Sequence, residues 1–160
     1  EVMGLDTDFG RAFAKAQMAA GHTLPLEGKV FISVKNYDKP AAVQLARDAI
    51  ALGFGVVATH GTAEVLEKEG LDVTPVNKVQ EGRPHIVDMM KNGDIKLVFN
   101  TTESKQAVVD SFSIRRTALT DDIPYYTTVA GARATLRAID NLKRGALAVR
   151  PVQEYLGDKY

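Results

Sequence analysis

Three short apolar segments of this sequence end in the same way, and this pattern constrains the fold more than any other feature. Residues 30–34, 54–58 and 95–99 are rich in the β-branched and aromatic residues that favour strands. Each segment then changes to hydroxyl, amide or lysine side chains where a helix is predicted to begin. Because the carboxyl ends of parallel strands meet at one edge of a sheet, we expect the three polar turns to lie together.

The polar turns carry side chains that suit an anion. Lys39 follows the first strand, residues 59–62 (Thr-His-Gly-Thr) follow the second, and residues 100–102 (Asn-Thr-Thr) follow the third. Helix N-termini present free backbone N–H groups and a partial positive charge, so hydroxyls and a lysine gathered there suit a phosphate. Ordinary helix capping would explain each turn taken singly. Together the turns predict a binder of a small phosphorylated molecule.

The composition limits the class of partner. The 160 residues include 20 Lys+Arg and 20 Asp+Glu, for a formal net charge of zero. Nucleic acid and anionic membrane attract strongly basic proteins, so neither is expected as a partner. There is no cysteine, and the three histidines show no metal-ligand spacing, so no metal site is expected. No G-x-G-x-x-G or P-loop motif is present, so dinucleotide or ATP binding through those motifs is not expected. A cytoplasmic protein is the simplest interpretation of the composition.

Predicted strands and helices alternate from residue 29 onward. The predicted helices cover residues 39–52, 62–69, 84–91, 105–117 and 129–143. Such alternation is typical of an α/β fold with a parallel sheet and right-handed crossovers. An alanine-rich helix is predicted over residues 9–20, ahead of this pattern. The sequence is therefore divided into residues 1–28, an N-terminal helix and linker, and residues 29–160, the main domain.

A series of motifs resembles a known family. In chain order the motifs are Ser33-Val34 with Asp38-Lys39, Ala58-Thr59-His60-Gly61-Thr62, Val76-Asn77-Lys78, Glu81-Gly82-Arg83-Pro84-His85-Ile86, Asn100-Thr101-Thr102 and Ile114-Arg115-Arg116. In order and spacing they resemble the C-terminal regulatory domain of the carbamoyl phosphate synthase large subunit, a member of the methylglyoxal synthase-like fold. The resemblance runs from residue 29 to the C-terminus, and residues 1–28 look like the end of the preceding ATP-grasp half.

The resemblance implies a three-layer sandwich. Its middle layer would be a five-stranded parallel sheet in the order 3-2-1-4-5, with helices on both faces, as in methylglyoxal synthase. The first and fourth strands are then neighbours at the point where the strand order reverses. Ligands of open α/β sheets bind at such a point, which agrees with the position expected for the phosphate.

The resemblance also implies an allosteric function. Bacterial members bind nucleoside monophosphates in this crevice, with uridine monophosphate (UMP) as inhibitor and inosine monophosphate (IMP) as activator. Carried over by motif, the phosphate contacts would be Lys39, Thr59, Gly61, Thr62 and Lys78. The residues lining the sugar and base would be Asn100, Thr101, Thr102, Ser111 and Ile114.

Further partners follow from the same resemblance. Ornithine is a second activator in some members and would contact Tyr125 and Thr127, although Tyr126 stands where the family pattern has an acid. The remainder of the large subunit and a glutaminase small subunit would be the protein partners, and the 160-residue chain alone is expected to self-associate. ATP with Mg or Mn would serve the parent ligase, which supplies pyrimidine and arginine biosynthesis. The chain itself would need no cofactor and catalyse no reaction.

Other members of the fold supply the alternatives. Methylglyoxal synthase is a lyase that needs an aspartate base in a Gly-Gly-Asp motif, and Arg83 aligns with that aspartate. A guanidinium stays charged at any usable pH and cannot remove a proton. The cyclohydrolase domain of purine biosynthesis carries a Lys-Thr-Leu-His-Pro segment that this sequence lacks. A free-standing phosphate-binding module is the remaining alternative.

Overall fold

The fold is built on a five-stranded parallel sheet. The structure is a computed structural model that describes residues 1–102, 107, 109 and 111–156, except for the side chain of residue 156. The strands are β1 (Lys29–Ser33), β2 (Gly55–Thr59), β3 (Thr74–Val76), β4 (Ile95–Asn100) and β5 (Tyr125–Tyr126). Their order in the sheet is β3-β2-β1-β4-β5, and every pairing is parallel. The predicted sheet and strand order are confirmed.

Helices connect the strands and flank them in sequence. They are α1 (Phe9–Ala19), α2 (Lys39–Ala51), α3 (His60–Lys68), α4 (Ile86–Lys91), α5 (Phe112–Thr120), α6 (Val129–Arg144) and α7 (Val152–Leu156). Two short 3-10 turns lie at Asn36–Asp38 and Val79–Glu81. The predicted helix over residues 105–117 includes residues 105, 106, 108 and 110, which lie outside the described part of the chain. In that described part, no helix is both long and apolar enough to cross a membrane.

The chain forms two compact units. Residues 27–132 make one unit, which contains the whole sheet, and residues 1–26 with the chain from 133 onward make the other. The predicted division into residues 1–28, as the end of a preceding domain, and residues 29–160 stays a prediction. The candidate site described below lies entirely within the sheet unit.

The sheet is buried on both faces, which explains why its strands are apolar without alternation. Phe31, Val57 and Val98 share one face, where they form a cluster with buried side chains of α4 and α5. The buried side chains of α2 and α3 lie outside that cluster, and both helices contact β2. Helices therefore cover both faces of the sheet.

Two helices begin at other positions than predicted, and one of these differences changes the site. Thr59 adopts an extended conformation and α3 begins immediately after it, so Gly61 and Thr62 lie inside the first turn instead of before it. Helix α4 begins at Ile86 instead of residue 84 because His85 caps it. The His85 N–H donates to the Asp88 carboxylate at 3.0 Å, which satisfies a backbone group at the helix start.

In the other unit, one ion pair holds the N-terminal segment. The Lys15 Nζ lies 2.7 Å from Asp6 Oδ2 and also donates to the Leu5 carbonyl and the Tyr155 hydroxyl, at 3.0 Å each. The Asp6 carboxylate is almost fully buried, at 6% exposure. The hydrogen bond from Lys15 lowers the pKa of Asp6 to about 2.

Truncation of a central strand residue tests the core. Leu97 on β4 is fully buried, so Leu97→Ala should lower the free energy of unfolding by about 2–5 kcal/mol through lost burial and the cavity left behind. Leu119, which is 85% exposed on α5, provides the matched control. Its replacement by Ala should change stability by less than about 0.5 kcal/mol in a urea titration. Equal losses in the two variants would contradict the buried position of β4.

The Asp6 ion pair predicts a pH dependence. Because the pKa of Asp6 is lower in the folded chain than its usual 3.8, the pair stabilises the fold above that pH and this contribution is lost as the pH falls towards 2. Asp6→Asn should therefore lower the thermal midpoint at pH 7, and the difference from the wild type should shrink below pH 4. Asp72→Asn, at an exposed position, is the control and should show no such dependence. A difference that stays constant from pH 7 to pH 2 would refute this role of Asp6.

Candidate functional site

The carboxyl ends of β1, β2 and β4 meet at a cavity of about 620 Å³. Ser33 at the end of β1 pairs in register with Asn100 at the end of β4, and its hydroxyl lies 3.2 Å from that of Thr59 at the end of β2. The strand order reverses between β1 and β4, where open α/β sheets bind ligands. The cavity is lined by Ser33, Val34, Lys35, Asn36, Thr59, Lys78, Val79, Gln80, Glu81, Asn100, Thr101, Thr102, Ala107, Ser111 and Ile114.

Hydroxyl groups join the first two strand ends. The Thr59 hydroxyl donates to the Thr62 hydroxyl at 3.5 Å, and the backbone N–H of Val34 donates to the same Thr62 oxygen at 3.4 Å. Thr59 and Thr62 are almost fully buried, at 4% and 2% exposure. Buried hydroxyls are costly unless they are hydrogen-bonded, so these contacts hold the start of α3 against the end of β1.

A second set of hydrogen bonds joins β1 to β4. The Lys35 N–H donates to the Thr101 hydroxyl at 3.1 Å, and the Thr101 N–H donates to the Ser33 carbonyl at 3.0 Å. The turn after β1 is therefore tied to the turn after β4. This turn directs the half-buried Lys35 to the cavity, with its ammonium 5.8 Å from the ring centre of Tyr37.

The segment after β3 forms another wall. Its backbone is held by the Glu81 carboxylate, which accepts the Lys78 N–H at 2.7 Å, and by Asn77, whose Oδ1 lies 2.9 Å from His60 Nε2. Gly82 follows with a φ of 101°, a conformation that favours glycine. The segment brings the exposed side chains of Lys78, Gln80 and Glu81 to the cavity.

The structure brings most of the predicted site residues together. Seven of them line the cavity: Thr59, Lys78, Asn100, Thr101, Thr102, Ser111 and Ile114. Lys39, Gly61 and Thr62 do not line it, and Gly61 and Thr62 lie in the first turn of α3 that follows Thr59. A Cβ placed on Gly61 would be 3.8 Å from Lys39 Nζ, so the ammonium lies against the first turn of α3.

The two residues predicted to bind ornithine lie elsewhere. The half-buried Tyr125 does not line the cavity, but its hydroxyl accepts a hydrogen bond from the Asn100 amide at 2.6 Å. Thr127 is exposed and likewise does not line it. Tyr125 is thus hydrogen-bonded to a residue that lines the cavity, whereas Thr127 does not line the cavity.

Sequence analysis missed several lining residues. Ser33 ends the first strand, and Lys35 and Asn36 follow it closely. Their position at the carboxyl end of a strand was the signal that could have identified them. The prediction named Lys39 instead, because the family motif carries it over as a phosphate contact and it stands where the helix was expected to begin. Residues 79–81 carried no such signal, since their approach depends on how the segment after β3 folds back.

The charges around the cavity favour an anion. Lys35 and Lys78 line it, and Glu81 is the one carboxylate among the described lining residues. The side chain of Thr59 makes no capping hydrogen bond to the first backbone N–H groups of α3, so these groups remain available to a ligand. In the described part of the chain, no group of three or more His, Asp or Glu residues could hold a metal ion.

Solved structures with the same fold include a crystal structure of methylglyoxal synthase from Elizabethkingia anophelis NUHP1. Its TM-score is 0.61 at 16% identity, over 86% of this chain and 95% of that chain. A crystal structure of ForH matches with a TM-score of 0.55 at 18% identity, over 71% of this chain and 79% of that chain. At these identities the likeness concerns the fold alone.

Sequence relatives are much closer. The chain is 55% identical over 157 residues to a carbamoyl phosphate synthase large chain from Myxococcus xanthus, covering 98% of this chain and 14% of the relative. The proteins of the same name from Brucella suis and Nostoc sp. are 54% and 52% identical, each over 97% of this chain. The chain therefore spans only 13–14% of the length of these curated relatives.

The family model described as MGS-like domain matches residues 41–127, which include β2 to β5 and most of the cavity. The matched segment is more than half of the chain. It agrees with the sheet order, with the methylglyoxal synthase structure and with the homologous carbamoyl phosphate synthase large chains. The chain belongs to the MGS-like domain family.

Proposed function

We propose that this domain is the effector-binding domain of a carbamoyl phosphate synthase large chain and that its cavity binds nucleoside monophosphates. The observation that carries the proposal is the 620 Å³ cavity at the reversal point of the sheet, which is lined by Lys35 and Lys78 together with polar residues that end β2 and β4. The 55% identity to a large chain over nearly the whole domain supports it. UMP would act as the inhibitor and IMP as the activator.

The phosphate would lie at the start of α3. There the uncapped N–H groups, the Thr59 hydroxyl and the Lys39 ammonium are gathered around Gly61. The dipole of α3 adds to the attraction because its N-terminus carries partial positive charge. Lys78, on the wall formed by the segment after β3, would complete the neutralisation of a phosphate dianion.

The sugar and base would lie towards β4 and α5. Asn100, Thr101 and Thr102 end the strand, while Ser111 and Ile114 approach from the helix side. Amide and hydroxyl groups suit ribose oxygens and base edges, and Ile114 offers an apolar surface to a base. The length between the two ends of the cavity would set the preference for a nucleotide over inorganic phosphate.

Such a domain would regulate and not catalyse. An effector shifts an enzyme between two states only if it binds one of them more tightly, with a coupling of about 1–3 kcal/mol in typical cases. The proposed partners are the remainder of the large chain and a glutaminase subunit, in a cytoplasmic ligase that uses ATP with Mg or Mn. Ornithine near Tyr125 and Thr127 is proposed as a second effector of that enzyme.

One observation favours a second candidate, a lyase of the methylglyoxal synthase type. The Glu81 carboxylate lines the cavity and could remove a proton from a small phosphorylated ketone. Arg83, which aligns with the family's aspartate base, is 78% exposed and pairs with Asp88 at 3.3 Å, so it gives no support to this reaction. The two candidates differ in whether the bound phosphate ester is consumed.

Titration calorimetry combined with a turnover assay separates the two functions. We expect UMP and IMP to bind saturably to the 160-residue chain, and dihydroxyacetone phosphate to yield no methylglyoxal. Formation of methylglyoxal that Glu81→Gln abolishes would establish the lyase and refute the regulatory proposal. Lack of binding by either nucleotide would also count against it.

Lys39 provides a test of the phosphate position. Lys39→Ala should weaken UMP binding by about tenfold to a hundredfold, since a charge-assisted hydrogen bond to phosphate is lost. The affinity for uridine, which lacks the phosphate, should be unchanged. Lys68→Ala is the matched control because Lys68 is an exposed lysine paired with Glu64 at 2.8 Å on α3. If UMP and uridine lost affinity equally in Lys39→Ala, the phosphate would not lie beside Lys39.

A further inference from the structure

A second cavity, of about 520 Å³, is lined by residues of α4, of α5 and of the segment after β3. All of these residues belong to the sheet unit. The side chains that line it include three cations and one carboxylate, and we call it the basic cavity. Its described lining residues are Val79, Arg83, His85, Val87, Lys91, Phe112, Ser113, Arg116, Thr117, Thr120 and Asp121.

The positive charge of this cavity is a local feature. The whole chain has a formal net charge of zero, so an excess of cations at one place is not a consequence of a basic composition. Arg83 pairs with Asp88 at 3.3 Å, which offsets part of its charge. Lys91 and Arg116 are exposed at the cavity. These two side chains suit carboxylates of a binding partner.

Helix α5 adds exposed apolar surface beside the cations. Phe112 lines the cavity and is 61% exposed, and Leu119 on the same helix is 85% exposed. Positions 112, 116 and 119 share one face of the helix, so the two apolar side chains flank Arg116. Arginine and aromatic side chains are enriched at protein interfaces. Small-molecule sites, by contrast, enclose most of their ligand, so this exposed arrangement favours a polypeptide.

A symmetric contact with a second copy of the chain does not suit this surface. In a two-fold symmetric interface the same patch of each copy meets its counterpart. The excess positive charge at Lys91 and Arg116 would then face itself. Charge complementarity favours an acidic partner instead.

The basic cavity shares its walls with the cavity at the strand ends. Val79 lines both of them. Helix α5 contributes Ile114 to the cavity at the strand ends and Phe112 and Arg116 to the basic cavity. Val79 and Ile114 also pack in the same apolar cluster of the core. Because closely packed side chains cannot move independently, a shift of this wall at one cavity changes the shape of the other.

We propose that the basic cavity docks an acidic segment of a partner polypeptide and that this docking is coupled to occupancy of the cavity at the strand ends. In the segment, carboxylates would flank a large apolar side chain. The carboxylates would lie against Lys91 and Arg116, and the apolar side chain against Phe112. The coupling rests on the proposed binding of nucleoside monophosphates, whereas the docking does not. Coupling of this kind is reciprocal, so a bound nucleotide would change the affinity for the segment by the same factor.

Titration of the 160-residue chain with two capped, fluorescein-labelled pentapeptides tests the docking. At low salt, Glu-Asp-Leu-Asp-Glu should bind about tenfold more tightly than its neutral counterpart Gln-Asn-Leu-Asn-Gln, and added salt should reduce this difference. Equal affinities for the two peptides would overturn the docking. So would complete displacement of the acidic peptide by inorganic phosphate at a lower concentration than by unlabelled peptide, since the cavity would then be a small-anion site.

A pair of double variants locates the docking. Lys91→Gln with Arg116→Gln should weaken the acidic peptide about tenfold, because two exposed charge pairs are lost. Lys96→Gln with Arg115→Gln is the matched control, since it removes the same charge at two exposed positions that do not line the cavity. It should change the affinity by less than about twofold. Equal losses in the two double variants would show unspecific attraction and overturn the assignment.

The variant Phe112→Ala tests the apolar contact. It should weaken the acidic peptide about threefold and leave the affinity for Glu-Asp-Gly-Asp-Glu unchanged, because only the leucine is expected to pack on the ring. The thermal midpoint should stay near wild type, as Phe112 is mostly exposed. An unchanged affinity for the leucine peptide would refute the contact with Phe112.

UMP titrations with and without saturating acidic peptide test the coupling. The affinity for UMP should change about fivefold or more, and the change should be absent in the Lys91→Gln, Arg116→Gln variant. Lys39→Ala should leave the peptide affinity unchanged, and a loss there would place the peptide in the cavity at the strand ends and overturn the docking. An unchanged affinity for UMP would overturn the coupling alone. Absence of UMP binding would refute the proposed function and the coupling, while the peptide titrations would still decide the docking.

Discussion

The parallel pairing of β1 with both β2 and β4 is the constraint on which the rest of the structure depends. Its register places Ser33 beside Asn100 and brings Thr59 to the same edge. A slip of one residue would turn every side chain of a strand to the opposite face. It would remove Phe31 from the apolar cluster and Ser33 from the cavity at once. Core packing and site geometry are therefore set by the same backbone hydrogen bonds.

The polar groups at these strand ends satisfy one another. Thr59, Thr62 and Thr101 are buried, and each takes part in a hydrogen bond to a different strand end or turn: Thr59 with Ser33, Thr62 with Val34 and Thr101 with Lys35. Burying such groups unpaired would cost about 1–3 kcal/mol each. The mutual contacts offset this cost and fix the cavity wall without a ligand. A ligand then meets a surface that needs little reordering, which favours discrimination between similar molecules.

The site also joins two kinds of recognition that differ physically. At the start of α3, positive charge and backbone N–H groups would attract any phosphate ester under the proposed function. At the end of β4, Asn100 and its neighbours present directional hydrogen-bonding groups whose arrangement depends on β5 through Tyr125. Tyr125 packs against the same apolar cluster as α4 and α5, so the cavity wall at Asn100 is connected to the core through Tyr125.

The sequence by itself determined the fold class and the edge of the sheet that carries the site. Apolar runs followed by polar turns predicted the parallel strands and four of the described lining residues, Thr59 and residues 100–102. The family resemblance supplied the strand order and three more, Lys78, Ser111 and Ile114. The sequence did not reveal that α3 begins at His60, that Lys35 lines the cavity while Lys39 lies beside Gly61, or that Tyr125 holds Asn100. Local patterns report which residues are buried or end a strand. Only tertiary structure decided these contacts, because each joins segments that are separated in sequence and meet through the register of the sheet and the packing of helices against it.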